Sequence, residues 1–319
     1  MEKDITVIGA AIIDILTGSV SPEVFKTGSM PVKETRFSFG GDALNEAVVL
    51  SRFGKKVELI SKVGKDSAGD QVRAYIEKEG MDTVSIIREE GLETSANIVL
   101  VDEKGERYFL TNPQGSLRKL ALSDIEKHIG DAADIVSFAS VFVSPLLGIP
   151  ELEKVFQAVK SKKGRTLIAD MTKAKKGEKL EDLKSLLPYI DYILPNESEI
   201  ELLTGEKDPE KNAELLIQGG VGCAVIKCGA EGCLIRTKDE RYKIPAYPVT
   251  KVVDSTGAGD CFAAGFLWAL SEGMPLKACG EFACGAASCA VEVMGAAEGI
   301  VSIDEPMRRF QKIQKESKR

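Results

Sequence analysis

Apolar residues along this chain gather in short runs of strand length, separated by stretches with helical periodicity. The strand-like runs are DITVIGA (4–10), KVELIS (56–61), DIVSFAS (134–140), RTLIAD (165–170), DYILP (191–195), CAVIKC (223–228) and GCLIR (232–236). Between them NEAVVLSRF (45–53), AGDQVRAYIEKEG (68–80), ELEKVFQAVKSKKG (151–164), LEDLKSLLPYI (180–190) and PEKNAELLIQGG (209–220) repeat apolar positions every three to four residues. Glycines follow several of these helices, at Gly80, Gly164 and Gly219, where a left-handed cap costs little. Strand and helix in alternation predict an α/β fold: three layers, with a mostly parallel sheet covered by helices on both faces.

Two segments depart from that rhythm. Residues 15–39 carry no convincing helix, and residues 92–112 alternate around the turn Asp102-Glu103-Lys104-Gly105. One follows the first strand and the other follows TVSII (83–87), so both can leave the same edge of the sheet. They predict a small β-layer acting as a lid over a cleft. The expected organisation is one domain over 1–319, with its lid at about 15–39 and 92–112. The open edges of such a layer suit pairing with a second copy, a homodimer through the lid.

Composition narrows the function. The 319 residues carry 42 basic and 49 acidic side chains, a net charge of −7. That balance disfavours nucleic acid and anionic membranes as partners. No run approaches the about 18 apolar residues of a membrane helix. The first residues do not read as a signal peptide, so the expected location is cytoplasmic. All seven cysteines follow residue 222, an odd number that reads as free thiols. Cys279, Cys284 and Cys289 recur every five residues and fan around a helix, as buried core residues rather than a ligand cluster. The one histidine, His128, lies in the polar amphipathic stretch DIEKHIGDAAD, so proton transfer falls to a carboxylate.

The stretch DSTGAGDCFAAGF (254–266) carries the strongest chemistry. Gly257, Ala258 and Gly259 leave their amides unobstructed at the start of the apolar helix FAAGFLWALSEG. Helix N-termini offer unpaired N–H groups and a partial positive charge, a seat for a phosphoryl group. Asp260, in the first turn, can take the proton of an attacking hydroxyl. A plain helix cap is the competing reading, but a cap needs no run of glycines.

Three other stretches leave structure and chemistry as alternatives. In FSFGGDALNEAVVLSRFG (37–54), Gly40 and Gly41 open a helix whose first turn holds Asp42 and Asn45, either polyol contacts or a capped turn. LPNESEIELLTG (194–205) places Asn196 and Glu199 three residues apart, either around Mg2+ and its waters or in simple dipole complementarity. VIKCGAEGCLI (225–235) sets Lys227, Gly229 and Gly232 in a turn that a hairpin explains as well as a nucleotide does. No Walker-type loop and no protein-kinase motif set is present.

Taken together, in this order, the segments resemble the PfkB (ribokinase-like) family of carbohydrate kinases over nearly the whole chain. DSTGAGD with FAAGF is similar to its C-terminal signature and GGDALNEAVVLSRFG to its N-terminal one. GAAIIDI, GGDALNEA, TNPQGSL and ADMTK most resemble the YdjH-like sugar kinases. The resemblance implies ATP-dependent phosphorylation of a sugar hydroxyl. Asp260 would be the base and the Gly257, Ala258 and Gly259 amides the anion hole. Asn196 and Glu199 would organise Mg2+ through water. Lys227, Gly229, Gly232, Thr256 and Cys284 would line the nucleotide, with Lys173 directed at phosphate. Asp14, Gly41, Asp42 and Asn45 would face the sugar. Asp254, Thr256 and the loop VMGAAEG around Gly295 would hold a monovalent cation such as K+, although Gly299 lacks a hydroxyl that relatives often carry. Ile12 and Val143 stand where ribokinases have polar sugar contacts, which points away from ribose.

On the lid, Asn97, Arg107 and Asn112 are the expected additional substrate contacts, and Arg107 could receive a carboxylate. The expected substrate is a sugar or sugar acid. A nucleoside kinase of the same fold and a catalytically silent sugar-binding regulator are the alternatives.

Overall fold

The computed structural model describes residues 2–18, 20–102 and 107–316, and for Arg107, Phe109 and Glu316 the backbone alone. The main sheet comprises β1 (Ile5–Ile8), β4 (Val57–Gly64), β5 (Ile86–Glu89), β8 (Ile135–Val141), β9 (Thr166–Met171), β10 (Tyr192–Ile193), β11 (Cys223–Lys227), β12 (Cys233–Arg236) and β13 (Arg241–Ile244). A second sheet is built from β2 (Ile12–Gly18), β3 (Glu34–Gly40), β6 (Ala96–Val101) and β7 (Arg107–Thr111). The helices are α1 (Val24–Thr27), α2 (Asp42–Arg52), α3 (Ser67–Lys78), α4 (Leu122–Ile129), α5 (Ile149–Lys160), α6 (Glu197–Thr204), α7 (Pro209–Gln218), α8 (Ala258–Ser271), α9 (Leu276–Ala290) and α10 (Asp304–Glu316).

The main sheet runs β13-β12-β11-β10-β9-β8-β1-β4-β5, parallel from β11 to β5, with an antiparallel hairpin at the β12–β13 edge. Its strands read as continuous apolar runs because both faces are covered. Ile5 and Val7 join one core with α2, α3, α8, α9 and α10, whereas Ile8 joins the other with α4, α5, α6 and α7. Thr6, equally buried, donates its hydroxyl to Glu58 at 2.9 Å.

The second sheet, in the order β3-β2-β6-β7, takes shape from both predicted excursions. It starts at Ile12 rather than 15, and α1 adds one helical turn within a segment expected to hold none. Its register puts Asp14 opposite Ser38 and Asn97, with Thr111 opposite Asn97, on one face. Ile15, Phe37, Ile98 and Leu110 form a row on the other. The turn at 103–106 lies outside the described residues.

Two local expectations need correction. LEDLKSLLPYI is not a helix but two 3-10 turns, Leu180–Leu183 and Leu187–Tyr189. Pro188 cannot donate the amide that an α-helix would need there, and its three leucines 183, 186 and 187 are buried by the turns instead. The left-handed residue after α7 is Gly220 rather than Gly219, one step later, because Gly219 still has helical backbone angles. Gly80 and Gly164 are left-handed as expected.

Candidate active site

Strand order reverses between β1 and β8, and a crevice opens at the carboxyl ends of strands at such a switch point. The polypeptide leaves β1 through Gly9 and Ala10, and α2 starts against it. Gly41, at φ +98°, precedes α2; a Cβ there would stand 2.6 Å from the Ala10 carbonyl oxygen. Only glycine permits that approach, which directs Asp42 into the crevice. Ser140, at the end of β8, donates its hydroxyl to Asp42 Oδ2 at 2.9 Å. One turn further along α2, Asn45 Nδ2 donates to Asp260 Oδ2 at 2.6 Å.

Asp260 itself lies in the first turn of α8. Gly257 precedes that helix at φ +70°, and a Cβ there would fall 2.3 Å from the Ala296 carbonyl oxygen. The loop is held from behind by Asp254, 5% exposed: Oδ1 accepts from the Thr256 amide at 2.9 Å and Oδ2 from the Gly295 amide at 2.9 Å. Asp254, Thr256 and Gly295 thus come together as a staple between two loops. The Gly257-Ala258-Gly259 amides sit at the mouth of α8, beside Asp260.

Burial, and next the charge of Asp42, pushes the Asp260 carboxyl far above the usual carboxylate range. Burial raises Asp42 as well, with the Ser140 hydroxyl pulling partly the other way. Asp42 and Asp260, both half-buried, face one crevice, so the charge of one bears on the proton affinity of the other. The compensating cation is Lys227, at the end of β11. Its Nζ pairs with Asp170 Oδ2 at 2.5 Å and would be 3.5 Å from a Cβ on Gly259. Burial acts to lower the Lys227 pKa, but Asp170 and Glu199 outweigh it and the ammonium is held charged. Burial pushes Asp170 up to about 7 despite that lysine.

A cavity of about 750 Å3 extends from Asp42 and Asp260 past Lys227. Asn196 and Glu199 stand on its wall in a reciprocal cap: the Glu199 amide donates to Asn196 Oδ1 at 2.9 Å, and the Asn196 amide donates to Glu199 Oε2 at 2.8 Å. Burial raises the Glu199 carboxyl. Beyond them the wall turns apolar, with Tyr247, Val252, Phe262, Cys284, Ala287 and Val291 beside the Gly229–Gly232 turn.

Most of the expected residues converge here. Asp42, Asn196, Glu199, Lys227, Gly229, Gly232, Ala258, Gly259, Asp260 and Cys284 line the one cavity. Asp14 accepts from Asn97 Nδ2 at 2.9 Å, and a Cβ on Gly40 would come within 2.1 Å of Asp14 Oδ2. Asn112 donates to Glu93 and its Oδ1 accepts from the Gln114 amide at 2.9 Å, just beyond β7. Lys173 is exposed and does not line the cavity, although its charge reaches Glu199. The Arg107 side chain lies outside the described residues. Sequence reasoning missed Asp170, Ser140 and the apolar wall from Tyr247 to Val252; a carboxylate ending the strand RTLIAD was the available signal for the first.

No helix among the described residues is long and apolar enough to cross a membrane. The backbone path resembles Arabidopsis thaliana ribokinase complexed with ribose and ATP, with a TM-score of 0.83 at 24% identity over 98% of this chain and 99% of that one. An uncharacterized sugar kinase of Archaeoglobus fulgidus is 35% identical over 252 residues, 79% of this chain and 97% of the relative. A nucleoside kinase of Methanothermobacter thermautotrophicus is 29% identical over 97% of this chain and 96% of its own length. The pfkB family carbohydrate kinase profile matches residues 2–303. By that profile and those relatives the chain belongs to the pfkB family of carbohydrate kinases, enzymes that phosphorylate sugars with ATP.

Proposed function

We propose that this enzyme transfers the γ-phosphoryl of ATP to a hydroxyl of a sugar or sugar acid, with Asp260 as general base. The observation that carries the reading is the half-buried Asp260 carboxylate in the first turn of α8, held by Asn45 at 2.6 Å. Desolvation, and next the charge of Asp42, raises its affinity for a proton, which suits a base. The substrate hydroxyl gives its proton to Asp260 as its oxygen bonds to the γ-phosphorus, and ADP leaves. The amides of Gly257, Ala258 and Gly259 face the charge on the transferred group. Lys227 supplies positive charge next to them.

ATP fits the 750 Å3 cavity, base toward the apolar wall and phosphates toward Lys227 and α8. Mg2+ neutralises phosphate charge in such reactions. Glu199, whose Oε1 is left over from the cap, and Asn196 are oxygen donors suited to its waters. Among the described residues no three acidic, His or Cys side chains gather into a protein cage, which fits a metal carried in by the nucleotide. K+ at the Asp254 staple, with oxygen donors at Thr256 and Gly295, is part of the proposal.

Asp14, Ser38, Asn97 and Thr111 share the polar face of the small sheet. That face suits a polyol better than a nucleobase and supports a lid role. The opposite face exposes Phe37, Ile98 and Leu110, 55%, 41% and 53% accessible, which supports a homodimer through the lid. Within the family we place the chain with the YdjH-like sugar kinases, as a single catalytic domain working in the cytoplasm.

The test is Asp260→Asn. Turnover should fall by about 10²–10⁴-fold while ATP affinity holds. A variant keeping more than about a tenth of wild-type activity removes Asp260 from the role. The nucleoside-kinase reading wins if adenosine exceeds fructose and a 2-keto sugar acid in kcat/KM by tenfold.

A further inference from the structure

Beside the crevice lies a second cavity, about 240 Å3, that the phosphoryl-transfer scheme leaves unused. Its walls come from three places: the η-turn after the small sheet, the loop between β8 and α5, and the loop that leaves β9. Three cationic side chains line it, Arg118, Lys175 and Lys176. Among the described residues none of them forms an ion pair, and Arg118 Nε is a buried donor with no hydrogen-bond partner. The acid on the same wall, Glu178, forms no ion pair with them among the described residues. Its Oε2 turns back to accept the Lys175 amide at 3.0 Å and the Lys176 amide at 2.8 Å.

The loop after β8 is under backbone strain at this place. Phe142, which lines the cavity, has φ +73°, and no other non-glycine residue among those described has positive φ. Strain of this kind costs on the order of 1–3 kcal/mol and persists where surrounding structure imposes it. Two residues before it stands Ser140, the partner of Asp42. Lys175 responds both to Arg118 and to the Asp42 carboxylate, so the cavity and the sugar end of the crevice are electrostatic neighbours. Desolvation and then Arg118 pull the Lys175 pKa down, and the Asp42 carboxylate offsets this only in part.

We propose that this cavity receives an anionic group of the sugar substrate, a carboxylate or a phosphate ester, with Arg118 and Lys175 as its binding residues. The inference rests on the sugar-kinase reading above and names the substrate class: an anionic sugar, whose reacting hydroxyl lies at Asp260 while its charged end reaches Arg118. An Arg fork suits either oxyanion, and one charge-assisted hydrogen bond to such a group contributes about 1.5–3 kcal/mol, or roughly 10–150-fold in affinity.

The experiment measures kcat/KM for fructose, 2-keto-3-deoxygluconate and fructose 6-phosphate with wild type, Arg118→Gln and Lys175→Gln. Wild type should favour one of the two anionic sugars over fructose. Each variant should lower the ratio of anionic to neutral kcat/KM by about 10–100-fold, mainly through KM. The arm that responds, carboxylate or phosphate, identifies the anion. Lys175 is an exposed loop residue, so its variant tests the idea even if Arg118→Gln unfolds. Asp260-dependent turnover with fructose preferred, and a ratio that neither variant changes, overturns the anion site while leaving the kinase reading intact. Loss of turnover on every sugar, neutral and anionic, overturns the kinase reading itself.

Discussion

Replacing Lys227 by Met isolates the central charge pair of the crevice. Lys227 Nζ and Asp170 Oδ2 are 2.5 Å apart, with side chains 13% and 6% exposed. Met keeps most of the volume but leaves Asp170 a buried carboxylate without its cation. Breaking such a pair from one side costs about 3–5 kcal/mol. Unfolding entropy is about 2.1 cal/mol/K per residue, so over 319 residues this loss corresponds to a Tm drop of about 4–8 °C. The loss must depend on pH. Asp170 already titrates at about 7, and without Lys227 its pKa rises further. A carboxyl raised in the folded state holds a proton that the unfolded chain has released. The stability this gives is complete below the unfolded pKa and is lost as pH rises through the folded one. The variant's deficit should therefore be about 2 kcal/mol smaller at pH 5.5 than at pH 8.5, growing by up to about 1.4 kcal/mol per pH unit above the wild-type Asp170 value of about 7. The assay is urea and thermal unfolding followed by Trp268, the sole tryptophan, 8% exposed in α8. The double variant Lys227→Met/Asp170→Leu should recover most of the loss, since two apolar groups of similar volume replace a desolvated pair. A single-variant cost under about 1 kcal/mol at pH 8.5, or one that does not shrink in acid, refutes the argument.

Three further outcomes follow from the geometry. Gly257→Ala forces a side chain into the left-handed region and onto the Ala296 carbonyl; it should cost at least about 1–2 kcal/mol and lower kcat through displaced amides, read by unfolding and initial rates together. Glu46, fully buried with Oε1 unpartnered and Oε2 accepting from Ser137 at 2.7 Å, has its carboxyl pushed far up by burial and by Asp170. Glu46→Gln should therefore unfold at higher temperature than wild type at pH 8 and show a smaller gain at pH 5.5; equal Tm at both values counts against a protonated Glu46. Phe37→Lys, on the exposed apolar row, should shift sedimentation from dimer to monomer at micromolar protein, and an unchanged dimer would place the interface elsewhere.

The alternation of apolar runs and helical periods was enough to settle the layered α/β fold, because strands buried on both faces must be apolar throughout. It also reached the small second sheet, since alternation at 92–112 and the absence of a long helix in 15–39 leave little else to form. The turn that sets Asp260 in the first turn of α8 was legible because a left-handed residue just before a helix, here Gly257, calls for glycine. Composition was silent on the 180–190 turns: the apolar spacing is helical, and only the placement of Pro188 and the buried leucines decides against a helix. What the tertiary structure alone decided is which distant groups meet. Asn45 reaches Asp260 across more than two hundred residues, and Asp170 near the end of β9 finds Lys227 at the end of β11, with β10 between them. Arg118 meets Lys175 in the same way, from two loops that share no sequence pattern. Periodicity fixes the face a residue takes within its own element, but the meeting of charges depends on strand order, and strand order reverses at β1 and β8 through the packing of the whole sheet.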